Sequence, residues 1–187
     1  MISGMKHLPF CMAIMFAAPA FADPCPAPPD HSTALSALIE AAQNAPDQSA
    51  AREISNDMWA LWADAPDDRA QALLDEAMAR REVGDYAAAE KAADALVAYC
   101  PDYAEGYNQR AFVNFLRGEY AAALPNLESA VERAPRHIAA MTGQALTLVA
   151  LDRKAEAALA LRAALDLNPW LSERALLKVI EKEEETL

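Results

Sequence analysis

Glycine is scarce here: 187 residues contain only five. β-Branched residues are thinly spread, and no stretch alternates apolar and polar for long. Strands and sheets are therefore poorly supplied, and alanine, leucine and glutamate point to an all-α chain. Basic residues are outnumbered, with 16 Lys and Arg against 28 Asp and Glu, a formal net charge of −12. Such a surface repels phosphate backbones, which argues against nucleic acid and anionic membrane surfaces as partners. Chemistry-bearing groups are few. There is no Cys-x-x-Cys pair, phosphate loop, nucleotide fingerprint or serine elbow. His31 and His137 lie far apart, and neither stands at helical spacing with a cysteine or a suitable carboxylate pair, so no metal site is indicated. The carboxylates spread around helix surfaces as solvated faces. An enzyme is not indicated, and no cofactor is called for.

Long apolar runs are also missing, with one short exception. In "MKHLPFCMAIMFAAPAFA", Lys6 precedes an apolar run from Leu8 to Ala18, bounded by Pro9 and Pro19. The run is too short to span a bilayer. Ala20-Phe21-Ala22 puts small residues at the −3 and −1 places of a cleavage site. Residues 1–22 are therefore expected to be a secretory signal peptide cut after Ala22, giving a secreted or periplasmic protein without membrane insertion. Its removal takes away Lys6 and no acidic residue, so the charge of −12 becomes −13. Two cysteines then remain, Cys25 and Cys100. In an oxidising compartment they invite a disulfide; the alternative is two unpaired thiols, one in a flexible arm and one at a helix end.

"DPCPAPPD" at residues 23–30 makes residues 23–31 a proline-rich, extended arm. Beyond it the chain repeats. Pro101, Pro135 and Pro169 fall on one place of a 34-residue period. Gly84, Gly118 and Asp152 stand at the fifteenth place, followed in the first two units by Tyr86 and Tyr120. Alanine recurs at the twentieth place as Ala89, Ala123 and Ala157. The proline stops each unit because it has no N–H and disfavours a helical residue before it. Glycine permits a tight turn between two helices, and Asp152 tolerates the left-handed backbone better than most residues.

As a set, these marks resemble the tetratricopeptide repeat, a 34-residue helix–turn–helix. The resemblance covers about 100 residues directly and implies an α-solenoid of stacked antiparallel helix hairpins. The expected units are 67–101, 102–135 and 136–169. Residues 32–66 look like a degenerate hairpin of the same kind, and 170–187 supply a C-terminal capping helix and acidic tail. Some places depart from the family. Glu76 and Arg80 in the first unit, and Arg110 and Asn114 in the second, sit where apolar side chains are usual. Pro125 lies inside a helix.

In this family the first helix of each unit lines a concave wall. The resemblance places Leu74, Met78 and Arg81 there from the first unit, Asn108, Gln109, Phe112 and Phe115 from the second, and Thr142, Gly143 and Leu146 from the third. Leu74, Met78, Asn108, Phe112 and Phe115 are the candidate peptide-binding residues, the amide for a backbone and the apolar groups for side chains. Acidic C-terminal peptides are not favoured, since Arg81 is the only cation on the wall. His137, beside Arg136 in an inter-repeat turn, reads as a solvated turn residue. The function that follows is an interaction scaffold for a protein or peptide partner. The alternative is a structural or assembly subunit that uses its outer face while its groove is filled.

Overall fold

A computed structural model describes residues 24–184, so the signal segment at 1–22 lies outside the described residues. Residues 24–31 carry no secondary structure, in keeping with their prolines. Nine helices follow among the described residues: α1 (Ser32–Gln43), α2 (Gln48–Trp62), α3 (Asp68–Glu82), α4 (Tyr86–Tyr99), α5 (Ala104–Leu116), α6 (Tyr120–Arg133), α7 (Ile138–Ala150), α8 (Lys154–Leu167) and α9 (Arg174–Glu184). Several starts are capped by side chains that accept orphan N–H groups. Asp47 accepts from Ser49 and Ala50, Asp67 from Ala70, and Asp85 from Ala88.

The hairpins α3–α4, α5–α6 and α7–α8 are the three repeats, and they stack in order. Each turns the same way. Gly84 and Gly118 have φ of 76°, and Asp152 takes the matching left-handed place at 57°. The residue after each donates its N–H five residues back: Asp85 to Arg80, Glu119 to Asn114 and Arg153 to Leu148, all at 2.9 Å. These bonds satisfy carbonyls that the helix end leaves open. Each second helix then stops before its proline. Ala89, Ala123 and Ala157 are fully buried, so the paired helices meet at a methyl group. Pro125 lies within α6 without ending it.

The polar departures from the repeat have partners. Asn114 is buried and donates to Glu90 (3.0 Å), and Arg110 reaches Asn126 (2.8 Å) and Asp94 (3.2 Å). These ties join α4, α5 and α6. Glu76 and Arg80 are about half exposed and pair with each other at 2.6 Å. They face water on the side of α3–α4 away from α5–α6. A polar outer face is what the end of a solenoid requires. At the other end α9 covers α8, with Ile180 buried beside Leu124, Leu148, Ala157 and Ala158.

The α1–α2 hairpin does not continue the stack. Its apolar stripe of Leu35, Ile39, Ala42 and Met58 packs against Ile138, Met141 and Ala164 of the third repeat. Gln43 donates to the Asp166 carbonyl (2.7 Å) and Asn168 to Ser55 (3.0 Å). At its other end Trp62 stacks on His137 with ring centroids 4.4 Å apart, and Tyr103 donates to the Trp62 carbonyl at 2.6 Å. The hairpin therefore crosses the repeats, lying over the starts of α5 and α7. Cys25 and Cys100 are joined, with Cα atoms 5.2 Å apart.

Candidate functional site

Between α2 and the faces of α5 and α7 lies a cleft of about 510 Å³. That is the size of pockets that take small ligands or a few side chains of a partner. Asn56, Met58, Trp59 and Trp62 form its α2 side, and Asn108, Phe112, Phe115, Thr142, Gly143 and Leu146 the side opposite. Arg81 and Glu173 also line it. Trp59 and Phe112 are 41% and 44% exposed, the largest apolar surfaces at this cleft. Gly143 leaves no room to spare, since a Cβ there would meet Leu127 at 3.0 Å.

Beneath the cleft is a buried polar cluster centred on Glu105, which is 1% exposed. Both its oxygens accept from the Asn108 amide, at 3.1 and 3.2 Å. Gln109 donates to one and His137 Nε2 to the other, the latter at 2.7 Å. His137 Nδ1 accepts the N–H of Ala140 at 3.3 Å, so the proton belongs on Nε2. Arg81 continues the chain by donating to Gln109 Oε1, with its guanidinium 4.7 Å over the Phe112 ring. Burial lowers the Arg81 pKa, opposed by the nearby Glu82 and Glu105 carboxylates. Burial, then Glu105, Asp64 and Asp75, raise that of Tyr103. The cluster surrounds a buried carboxyl group with hydrogen-bond partners, so none of its polar atoms is buried unpaired. It also orients Asn108. Its N–H faces Glu105, leaving its carbonyl oxygen as the group available to an occupant.

Asn108, Phe112 and Phe115 line the cleft together. Leu74 does not: it is fully buried against Ala70, Leu96 and Cys100, inside the first repeat. Met78 is partly buried against that same core and is absent from the cleft lining. Both side chains turn toward α4 and the chain around Cys100 rather than to the groove. His137 is a second correction. It is 0% exposed, since Trp62 covers the turn that holds it. The α2 side of the cleft, with Trp59 and Trp62, went unforeseen because nothing in a repeat alignment says where an extra hairpin lands.

No protein-family model matches the chain. A TPR repeat-containing protein of Rhizobium etli is 32% identical over 102 residues, 54% of this chain and 50% of that protein. The chain thus spans about half the length of the curated relative it matches. Among solved structures, the first TPR of Spaghetti (RPAP3) bound to an HSP90 peptide is similar with a TM-score of 0.61 and 20% identity, covering 63% of this chain and 94% of that one. The TPR2B domain of yeast Sti1 in complex with an Hsp70 peptide gives 0.57 and 20%, covering 64% and 98%. MamA from Desulfovibrio magneticus gives 0.56 and 19%, covering 86% and 90%. The period, the three matching turns and these likenesses define the class by its fold: a TPR-like α-solenoid of stacked helix hairpins. The particular molecule is a three-repeat solenoid closed by α9 and crossed by its own N-terminal hairpin.

Proposed function

We propose that this protein is an exported interaction module, not an enzyme, that takes a short apolar segment of a partner protein in the cleft between α2 and α5–α7. The observation that carries this reading is the half-exposed pair Trp59 and Phe112 lining a cleft whose floor is fixed by the Glu105 cluster. Apolar anchors beside a few oriented polar groups are what a peptide site needs. The partner would offer an N–H to the Asn108 oxygen and side chains to Phe112, Phe115 and Leu146. The solved relatives named with bound HSP90 and Hsp70 peptides lend support by analogy of fold. Their mode of binding need not transfer, because Arg81, the one cation lining this cleft among the described residues, is already engaged by Gln109 and Phe112.

The test is capture of envelope proteins by wild type and Phe112→Ala. Covering the exposed half of the ring contributes about 1 kcal/mol, so capture should weaken about fivefold while helix content holds. Undiminished capture by a folded variant moves the site elsewhere. A second reading has one observation in its favour: α2 already covers part of the groove. A structural subunit working through its outer face would show that undiminished capture. Export rests on the Ala20-Phe21-Ala22 site, and N-terminal sequencing should find the mature chain starting at Asp23. An intact Lys6 refutes this route.

A further inference from the structure

Both ends of the α1–α2 hairpin are fastened at one place. Six residues separate Cys25 from the start of α1, and five separate the end of α2 from the start of α3. The two leads touch where His31 meets Asp64 at 2.7 Å. Cys25, Ala63, Ala65, Cys100 and Tyr103 pack there in one cluster. Beyond this tether the hairpin is seated by its apolar stripe on Ile138, Met141 and Ala164 and by hydrogen bonds: Arg136 to Ser36 and the Ser32 carbonyl near the start of α1, Asn168 to Ser55, and Gln43 to the Asp166 carbonyl at the far end. Beneath the hairpin, Ile138 and Met141 are 4% and 8% exposed.

We propose that the Cys25–Cys100 bond locks this hairpin over the repeats, and that its reduction by a dithiol releases the hairpin and uncovers Ile138 and Met141 as a further apolar wall. With the bond intact, the seven chain steps from Cys25 to Ser32 keep the start of α1 within about 25 Å of Cys25, so the hairpin lifts only as far as two anchored leads allow. Without it, the hairpin hangs from the five-residue lead at 63–67 alone. The bond adds little contact to the seated state and removes many conformations from the lifted one, as a disulfide does for an unfolded chain. The exchange balances simply. A thiolate of the dithiol attacks the partly exposed Cys25 sulfur, and the S–S electron pair leaves on the buried Cys100 sulfur, which takes a proton. The second thiol of the reductant then displaces Cys25 as a thiol. The protein gains two electrons and two protons, and the reductant leaves as its disulfide. The lock stands whether or not a peptide occupies the cleft.

Hydrogen exchange read by mass spectrometry tests it on the full mature chain: oxidised, dithiol-treated, and as Cys25→Ser, which keeps the buried Cys100 in place. Amides of α1 and α2 should exchange at least tenfold faster in the last two samples, with α5–α8 changed by less than twofold. Oxidation of Met141 by dilute peroxide should rise in step. Unchanged exchange in α1 and α2 means the seat holds without the bond, and the lock is refuted. Equal acceleration in every helix makes the bond a general staple and refutes it too. Faster exchange with Met141 still protected is fraying without lift-off, and that sinks the uncovered wall.

Discussion

His137→Ala removes three interactions at once. The imidazole donates to a buried carboxylate at 2.7 Å, a charge-assisted bond of about 1.5–3 kcal/mol. Its ring stacks on Trp62 at 4.4 Å, for about 0.5–1.5 kcal/mol. Its Nδ1 caps α7 by accepting from Ala140, for about 0.5–2 kcal/mol. Glu105 keeps Asn108 and Gln109 as donors, and some water will enter, so the net loss should lie at about 3–5 kcal/mol. For a chain of this size each kcal/mol lowers Tm by about 2–4 °C, which predicts a fall of about 6–20 °C. Urea unfolding followed both by tryptophan fluorescence and by circular dichroism is the assay. The two probes are needed because repeat arrays can lose cooperativity. His137→Phe keeps a ring over Trp62 but no N–H for Glu105, so it should lie between wild type and alanine. A loss under about 1 kcal/mol for alanine, or wild-type stability for phenylalanine, would refute the claim that Glu105 depends on this donor.

Asp152→Gly should raise stability by about 0.5–1 kcal/mol, since Asp152 holds φ at 57° where Gly84 and Gly118 hold 76° at no steric cost; a fall in urea midpoint contradicts this. Tyr103 predicts an alkaline limb. Burial raises its pKa above the ordinary 10.0, so the folded chain keeps the phenol protonated while the unfolded chain ionises. Its contribution is fully present below pH 10 and is lost as pH rises beyond it, and Tyr103→Phe should flatten that decline in an unfolding series across alkaline pH. A decline unchanged in the variant assigns the effect to other groups.

Much of the architecture was legible because it rests on local steric rules. The repeat prolines at 101, 135 and 169 follow the helix ends, although Pro125 sits inside α6; left-handed turn places accept glycine or Asp152, and alanine marks the closest helix contacts. Glu76 and Arg80 were legible only as departures from the repeat pattern. Polar side chains at these places do not by themselves tell exposure, since Asn114 at the matching place of the second unit is buried while Glu76 and Arg80 are about half exposed. What the sequence could not assign was partnership. The stripe of Leu35, Ile39 and Met58 requires burial but does not name the surface that buries it; only the fold sets it on Ile138 and Met141. The same holds at single positions. His137 is read as solvated from its neighbours in the chain, yet Trp62, 75 residues away, covers it. Leu74 fits a groove by repeat register but turns into the core beside Leu96 and Cys100. Helix and turn follow from neighbouring residues, whereas burial depends on what arrives from elsewhere in the chain, and that is decided by the tertiary structure.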